Sequence, residues 1–224
     1  MIALIPARNN SKSIVGKNLQ KLGKKRLIDH TIDYAKSIPF FKQVILSTDI
    51  PVLLDEDLGI DKRHRKPEHA TDEALMFNVV EDAISAYGLP DDEYLWLLQP
   101  TSPFRTKENA YEIRELLHAE SPESLISVTD IGANHPNRTY TIKDKNLYPL
   151  RYTNFVNKQL LKPVYIRNGC FYVLKVGSFL KRKEFFMKPC IPYEMSAEQS
   201  VNIDSRLDLL LARALYDATH DKAW

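Results

Sequence analysis

Short apolar runs alternate with helix-period segments from the first residue onward. Residues 2–6, IALIP, form an unbroken apolar stretch, which predicts a buried strand opening into a polar loop at 7–18. Ile28, Ile32 and Ala35 recur at helical spacing and predict a helix over 27–38. Further strands are predicted at 43–47, 60–64, 94–98, 124–129 and 169–174. Between them lie a short helix at 51–57 and longer ones at 73–87 and 107–119. The helix at 73–87 has Leu75, Val79, Ala83 and Ala86 on one face, with Thr71 or Asp72 as the expected cap. Residues 205–218 predict a last helix. Residues 130–165 break the rhythm with Asn, Tyr, Pro and Lys and read as an inserted arm.

Regular alternation of strand and helix predicts an α/β fold, a mostly parallel sheet with helices on both faces, built as one domain over 1–224. In such sheets ligands gather at the carboxyl ends of the strands. The informative loops are therefore 7–18, 48–49, 65–72, 99–105 and 130–136.

Composition narrows the chemistry. The 224 residues carry 31 Lys and Arg against 29 Asp and Glu. A net charge of +2 is a poor match for a nucleic-acid binder, which needs a concentrated basic face. Two cysteines, Cys170 and Cys190, exclude a disulfide framework and suit a reducing, cytoplasmic setting. Cys170 alternates with Phe171 and Val173 and reads as core. No apolar run reaches the ~18 residues of a membrane span, and the opening segment is too short for a signal-peptide core. None of the seven glycines has the G-x-G spacing of a dinucleotide fingerprint. Gly16-Lys17-Asn18 lacks the earlier glycine and the Ser/Thr of a P-loop. Zinc-protease and nucleophile-elbow motifs are absent.

Three loops carry candidate chemistry. Residues 7–18 bring Arg8, Lys12 and Lys17 together with Asn9, Asn10, Ser11, Ser13 and Asn18. Cations and backbone N–H groups beside a strand end suit a polyphosphate, and the Asn18 amide suits a base edge. The same loop also reads as a solvated basic segment. Residues 97–106, LLQPTSPFRT, offer Gln99, Thr101, Ser102 and Arg105 in a proline-stiffened loop. That suits a polyol bearing a carboxylate, or simply a strand exit with Thr106 capping the next helix. In SVNIDSRLD, Asp204 lies between an apolar pair and a helix start. It suits either Mg²⁺ shared with phosphate oxygens or a helix cap, and Asp208 reads as a first-turn residue. The basic run Arg63-His64-Arg65-Lys66 reads as a solvated face, although its place at a strand end puts one of its cations within reach of a phosphate. Lys181-Arg182-Lys183 reads as surface, and His135 as structural.

Taken in order, these motifs resemble the acylneuraminate cytidylyltransferases over nearly the whole chain. LIPARNNSK followed by GKNL, STD at 47–49, KPEHATD at 66–72, LLQPTSPFRT, RNGCFYV at 167–173 and MSAEQSVNID at 195–204 fall in the family's order. The resemblance implies a Rossmann-like nucleotidyltransferase core with a dimerisation arm, acting as a homodimer. It implies transfer of CMP from CTP to the anomeric hydroxyl of a nine-carbon 2-keto acid sugar, sialic acid or a relative, with Mg²⁺, releasing pyrophosphate. The near-balanced charge and the short apolar runs lead to the expectation of neither nucleic acid nor membrane as partner.

By the same resemblance Arg8, Lys17 and Asp204 are catalytic, with Asp204 the metal ligand. Ala7, Arg8, Ser11, Lys12, Lys17, Asn18 and Lys66 bind nucleotide. Gln99, Thr101, Ser102, Lys158, Gln159, Arg167 and Asn168 bind sugar. The chain departs from the family where Asn202 replaces the first aspartate of Asp-Ile-Asp, where Asn157-Lys158-Gln159 replaces Arg-Arg-Gln, where Lys66 replaces arginine, and where Glu73-Ala74-Leu75 replaces serines. The alternatives are an eight-carbon (KDO) cytidylyltransferase and a catalytically silent nucleotide- or sugar-binding regulator.

Overall fold

The computed structural model describes residues 1–9, 11–71, 73–151 and 161–220. Its centre is β1 (Ile2–Ala7), every residue of which is buried. Alternate side chains of this strand enter two separate cores. Ala3, Ile5 and Ala7 face one, and Ile2 and Leu4 face the other. An unbroken apolar run is what a strand covered on both sides requires.

A two-residue-per-strand hairpin, β2 (Lys21–Leu22) and β3 (Lys25–Arg26), leads into α1 (Leu27–Lys36). Then follow β4 (Gln43–Thr48), α2 (Pro51–Asp55), β5 (Asp61–His64), α3 (Met76–Tyr87), β6 (Tyr94–Leu97), α4 (Lys107–Glu120) and β7 (Ser124–Asp130). The arm contains an exposed hairpin of β8 (Tyr140–Lys143) and β9 (Asn146–Pro149). The chain finishes with β10 (Tyr165–Lys175), α5 (Val176–Arg182), β11 (Cys190–Glu194) and α6 (Arg206–His220).

Seven strands form one sheet in the order β11-β7-β10-β6-β1-β4-β5. All its pairings are parallel except those of β10, which runs antiparallel to β6 and β7. α1 and α4 cover one face through Ile28, Ile32, Ile113 and Leu117. α3 and α5 cover the other through Val80, Ile84 and Phe179. The expected α/β architecture, mostly parallel with helices on both faces, is therefore the one found. The strand order proceeds from β1 outward to β4 and β5, then returns to place β6 on the opposite side of β1. That reversal opens a crevice at the carboxyl ends of β1 and β6.

Several boundaries differ from the sequence expectation. α3 begins at Met76 rather than 73, because Leu75 is extended at the N-cap position and exposed, so it adds nothing to the buried face. Thr71 does not cap this helix, whose N-cap is Leu75, and Asp72 lies outside the described residues. α5 ends at Arg182, where the basic run 181–183 reads as a helix end, while β11 has no counterpart in the sequence expectation. β11 carries Pro192 and sits at the sheet edge, where a missing N–H is tolerated. Thr106 caps α4 as expected, in a reciprocal box with Asn109. His135 is structural: its Nδ1 accepts from Asn137 N–H, which leaves Nε2–H to donate to the Lys162 carbonyl at 3.1 Å. Cys170 is buried in the core.

Leu46, fully buried on β4, tests the two-faced core. Leu46→Ala is expected to cost about 2–5 kcal/mol. Urea unfolding followed by circular dichroism measures it, and a loss under about 1 kcal/mol would mean that the site collapses without a cavity.

Candidate active site

The loop after β1 is closed on itself before it meets any ligand. The buried Asn18 amide donates to the Arg8 carbonyl at 3.0 Å, joining the two ends of the loop. Gly16 takes a left-handed conformation (φ 59°) at the entrance to a 3-10 turn over Lys17–Leu19. Asn9 N–H donates to Asp49 Oδ1 at 2.7 Å, anchoring the loop to the end of β4. Asn10 lies outside the described residues. Ala7 is buried at the strand end, Arg8 is half-buried, Ser11 is partly exposed and Lys12 is exposed.

Lys17 reaches across to the segment before α6. Its Nζ donates to the Ile203 carbonyl at 3.1 Å and to Asp204 Oδ1 at 3.0 Å. Asp204 Oδ2 accepts from the Asn202 amide at 2.5 Å. Asp204 does not cap α6. That role belongs to Ser205 and Asp208: Asp208 accepts from Ser205 N–H at 2.7 Å, and Ser205 Oγ accepts from Asp208 N–H at 3.3 Å. The Asp204 carboxylate is thus left projecting at the crevice, largely exposed.

A second group converges on the same place from the loop after β6 and from β10. Ile203 N–H donates to the Thr101 carbonyl at 2.8 Å, joining the two segments. Ser102 Oγ lies 3.5 Å from Asn202 Oδ1. β10 changes register between Arg167 and Tyr172, and the extra residues form a bulge. Gly169 occupies it with φ +80°, and a Cβ there would sit 3.3 Å from Gln99 Oε1 and 3.6 Å from both Ser102 Oγ and Asn202 Oδ1. The glycine lets Gln99, Ser102 and Asn202 face one another across a narrow gap. Asn168 is buried beside it, donating to Ser200 Oγ at 2.8 Å and accepting from Ser127 and from Cys170 N–H. Arg167 is exposed on the strand just before the bulge. Lys158 and Gln159 lie outside the described residues.

The basic run separates by neighbour. Lys66 and Arg63 both turn to Asp82 of α3, at 2.8 Å each. Arg65 is buried, donates to the Ser47 carbonyl at 3.1 Å, and has an Nε without a hydrogen-bond partner. It lines a cavity of about 480 Å³ with Arg8, Asp49, His64, Pro67, Ala70 and Thr71. Burial pulls the Arg65 guanidinium down to about 10; Asp49 opposes the shift and Arg8 adds to it. Arg65 thus remains charged at neutral pH. The cation found beside Arg8 is Arg65, adjacent in sequence to the Lys66 that the resemblance singles out. Arg105 is also buried, beneath the loop instead of on its surface, donating to backbone carbonyls.

Among the described residues no three His, Cys, Asp or Glu side chains gather as a metal cage. Asp204 offers one carboxylate and Asn202 one amide carbonyl. Mg²⁺ is commonly held by one or two carboxylates together with substrate phosphates, and this donor set fits that arrangement.

A cation-bearing loop at the switch point of such a sheet, facing a gap lined by amides and hydroxyls, is the arrangement of a nucleotidyltransferase. The comparisons are narrower. The chain matches the cytidylyltransferase family over residues 2–218, and it belongs to that family. It is 33% identical over 219 residues to the N-acylneuraminate cytidylyltransferase of Escherichia coli, covering 95% of this chain and 51% of that protein. The enzyme of the same name from Streptococcus agalactiae is 32% identical over 216 residues, covering 93% and 51%. The chain thus spans about half the length of these curated relatives. The CMP-N,N'-diacetyllegionaminic acid synthase of Legionella pneumophila is 29% identical over 237 residues, covering 99% and 98%. In fold, the chain is similar to a CMP:2-keto-3-deoxy-manno-octonic acid synthetase solved with CTP, with a TM-score of 0.71 at 15% identity, covering 97% and 98%. Among the described residues no helix is long and apolar enough to cross a membrane.

The Asp82 node generates a pH prediction. Hydrogen bonds from Arg63, then Lys66, hold its carboxyl well below the usual carboxylate range, against the opposing effect of burial. A depressed folded pKa stabilises above the unfolded value of about 3.9 and is lost as pH falls below it. Asp82→Asn is therefore expected to flatten the acid limb of a stability–pH curve below about pH 4. An unchanged limb would mean the pairing contributes nothing.

Proposed function

We propose that the protein transfers CMP from CTP to the anomeric hydroxyl of a nine-carbon 2-keto acid sugar, releasing pyrophosphate, with Mg²⁺ as cofactor. The observation that carries this reading is the bridge at the switch point. Lys17 of the phosphate-type loop contacts Asp204, and Asn202 links Asp204 to the Ser102 and Gly169 gap. A triphosphate held on one side and a polyol on the other would meet at this bridge. The names of the relatives support both the nucleotide and the acidic sugar.

In this reading the nucleotide lies over the loop after β1. Arg8, Lys12 and Lys17, with the Ala7 and Ser11 region of the backbone, neutralise and orient its phosphates. Asn18 sets the loop's shape and faces the base, and Arg65, which lines a cavity with Arg8, takes the nucleotide-side place given to Lys66, itself held by Asp82. The sugar lies between the loop after β6 and the β10 bulge. Gln99, Thr101, Ser102 and Asn168 address its hydroxyls, and Arg167, Lys158 and Gln159 its carboxylate. Mg²⁺ on Asp204 would offset charge on the phosphate oxygens. The sugar hydroxyl oxygen forms a bond to the α-phosphorus, its proton passes to solvent, and the bond to the departing pyrophosphate breaks. Rate enhancement in such a transfer comes from positioning and charge neutralisation.

Pyrophosphate release from CTP is measured with Mg²⁺ and N-acetylneuraminate, deaminoneuraminate, legionaminate or the eight-carbon acid KDO. Release with a nine-carbon acid is expected, and Asp204→Ala is expected to abolish it. Release with KDO alone would move the protein to the eight-carbon class. CTP binding without release from any acid would favour the regulator.

The same reading has the protein working as a cytoplasmic homodimer joined through the arm. Tyr140, Ile142, Leu147, Tyr148 and Leu150 of the arm are exposed, as is Ile166 at the start of β10. Light scattering on the eluting protein is expected to give twice the 25.8 kDa chain mass. Ile142→Lys with Leu147→Lys is expected to give the monomer, and a monomeric wild type would remove the dimer.

A further inference from the structure

Arg105 is a buried cation whose hydrogen bonds all go to uncharged oxygens. Its Nε donates to the Cys170 carbonyl at 2.7 Å. One terminal nitrogen donates to the Ser102 carbonyl at 2.6 Å and to Thr31 Oγ1 at 3.4 Å. The other donates to the Gln99 carbonyl at 2.7 Å. The guanidinium carbon lies 5.5 Å over the Phe171 ring.

These partners define what the side chain does. Gln99 and Ser102 are the two ends of one turn, closed by Ser102 N–H donating to the Gln99 carbonyl at 3.2 Å. Cys170 belongs to the β10 bulge, one residue past Gly169. The same guanidinium therefore grips both ends of the loop and the bulge that faces it. The side chains of Gln99 and Ser102 project toward Gly169 on the other side of this grip.

We propose that Arg105 is a positioning residue: its planar fork sets the separation between the Gln99–Ser102 loop and the Asn168–Cys170 bulge, and so the width of the gap that receives the sugar. The proposal rests on the reading that the acidic sugar binds in that gap. Three carbonyls bonded separately by Nε and the two terminal nitrogens match a guanidinium's five donors. A lysine ammonium keeps the charge but reaches them with a compact, rotating head, and leaves buried carbonyls unpaired. Burial pulls the Arg105 pKa down, and the nearby Cys170 and Tyr34 oppose that shift.

The test measures KM for the sugar and KM for CTP separately in wild type, Arg105→Lys, Arg105→Met, Gln99→Ala and the Arg105→Lys/Gln99→Ala double variant, at a temperature where circular dichroism shows each folded. Both Arg105 variants are expected to raise the sugar KM about tenfold or more while the CTP KM stays within about twofold. In the Gln99→Ala background, most of the loss is expected to vanish, because the loop then has less to position. Equal changes in both KM values, full additivity with Gln99→Ala, or restoration by lysine would overturn the proposal.

If the Arg105 variants do not fold, Thr31→Val takes their place. It removes one acceptor from the guanidinium, and a sugar KM raised about twofold at constant CTP KM is expected, while no rise overturns the proposal. A wild-type protein that turns over none of the acids removes the sugar reading. Amide exchange in Arg105→Lys, or in Thr31→Val if that variant does not fold, then decides the positioning. Faster exchange at Ser102 and Ile203, whose N–H groups bond to the loop, supports it; unchanged exchange overturns it.

Discussion

The reversal of strand order at β1 is the constraint on which the rest depends. β1 is buried on both faces, so its apolar residues have no freedom to turn outward, and the chain must leave the sheet at Ala7. With β4 on one side and β6 on the other, that exit faces the loop after β6. A cationic loop and an amide-rich loop, more than eighty residues apart in sequence, are thereby delivered to one crevice. Helix packing on both faces holds the strands in place, which allows the loops above them to be polar.

β10 contributes differently because it runs against its neighbours. A strand entering from the opposite end brings the residues near its own start, rather than its end, to the crevice. The change of register after Arg167 then turns Asn168 and Gly169 into the gap. The left-handed glycine and the buried Asn168 amide have complementary tasks. One leaves room for Gln99 and Ser102, and the other ties the bulge to β7 and to Ser200. Arg105 holds the same bulge from behind, so the gap is framed by backbone–side-chain hydrogen bonds on both walls.

Charge is handled by local pairing. Asp82 takes Arg63 and Lys66, while Lys17 and the Asn202 amide hold the two oxygens of Asp204. Arg65 and Arg105 instead stand buried against carbonyls. Burying a cation among neutral acceptors is costly unless its hydrogen bonds are made. Arg105 makes its bonds to the protein. Arg65 has an unpartnered Nε in a cavity lined in part by Arg8 and Asp49. The two arginines differ in what is left for a ligand to satisfy.

Much of this was legible in the sequence, because the signals are local. Apolar runs and helical spacing mark β1, β4, β6, α1 and α4, and the Thr106–Asn109 cap has a short-range signature. Among the polar loops after strands, those after β1, β4 and β6 do meet other segments of the crevice, whereas the β10 bulge comes from the start of an antiparallel strand. β11 escaped because Pro192 weakens a strand pattern that only edge pairing with β7 tolerates. The choice between Arg65 and Lys66 could not be read, since adjacent residues point to different sides and the deciding partner, Asp82, comes from α3. Arg105 reads in sequence as a loop cation for a carboxylate and proves to be a buried clamp. The chain by itself determined the elements, their alternation and the loops that carry chemistry, because those depend on neighbours within one helical turn or one strand. Only the tertiary structure decided which cations face the crevice and which are held beneath it, because burial and pairing depend on residues brought together from distant parts of the chain.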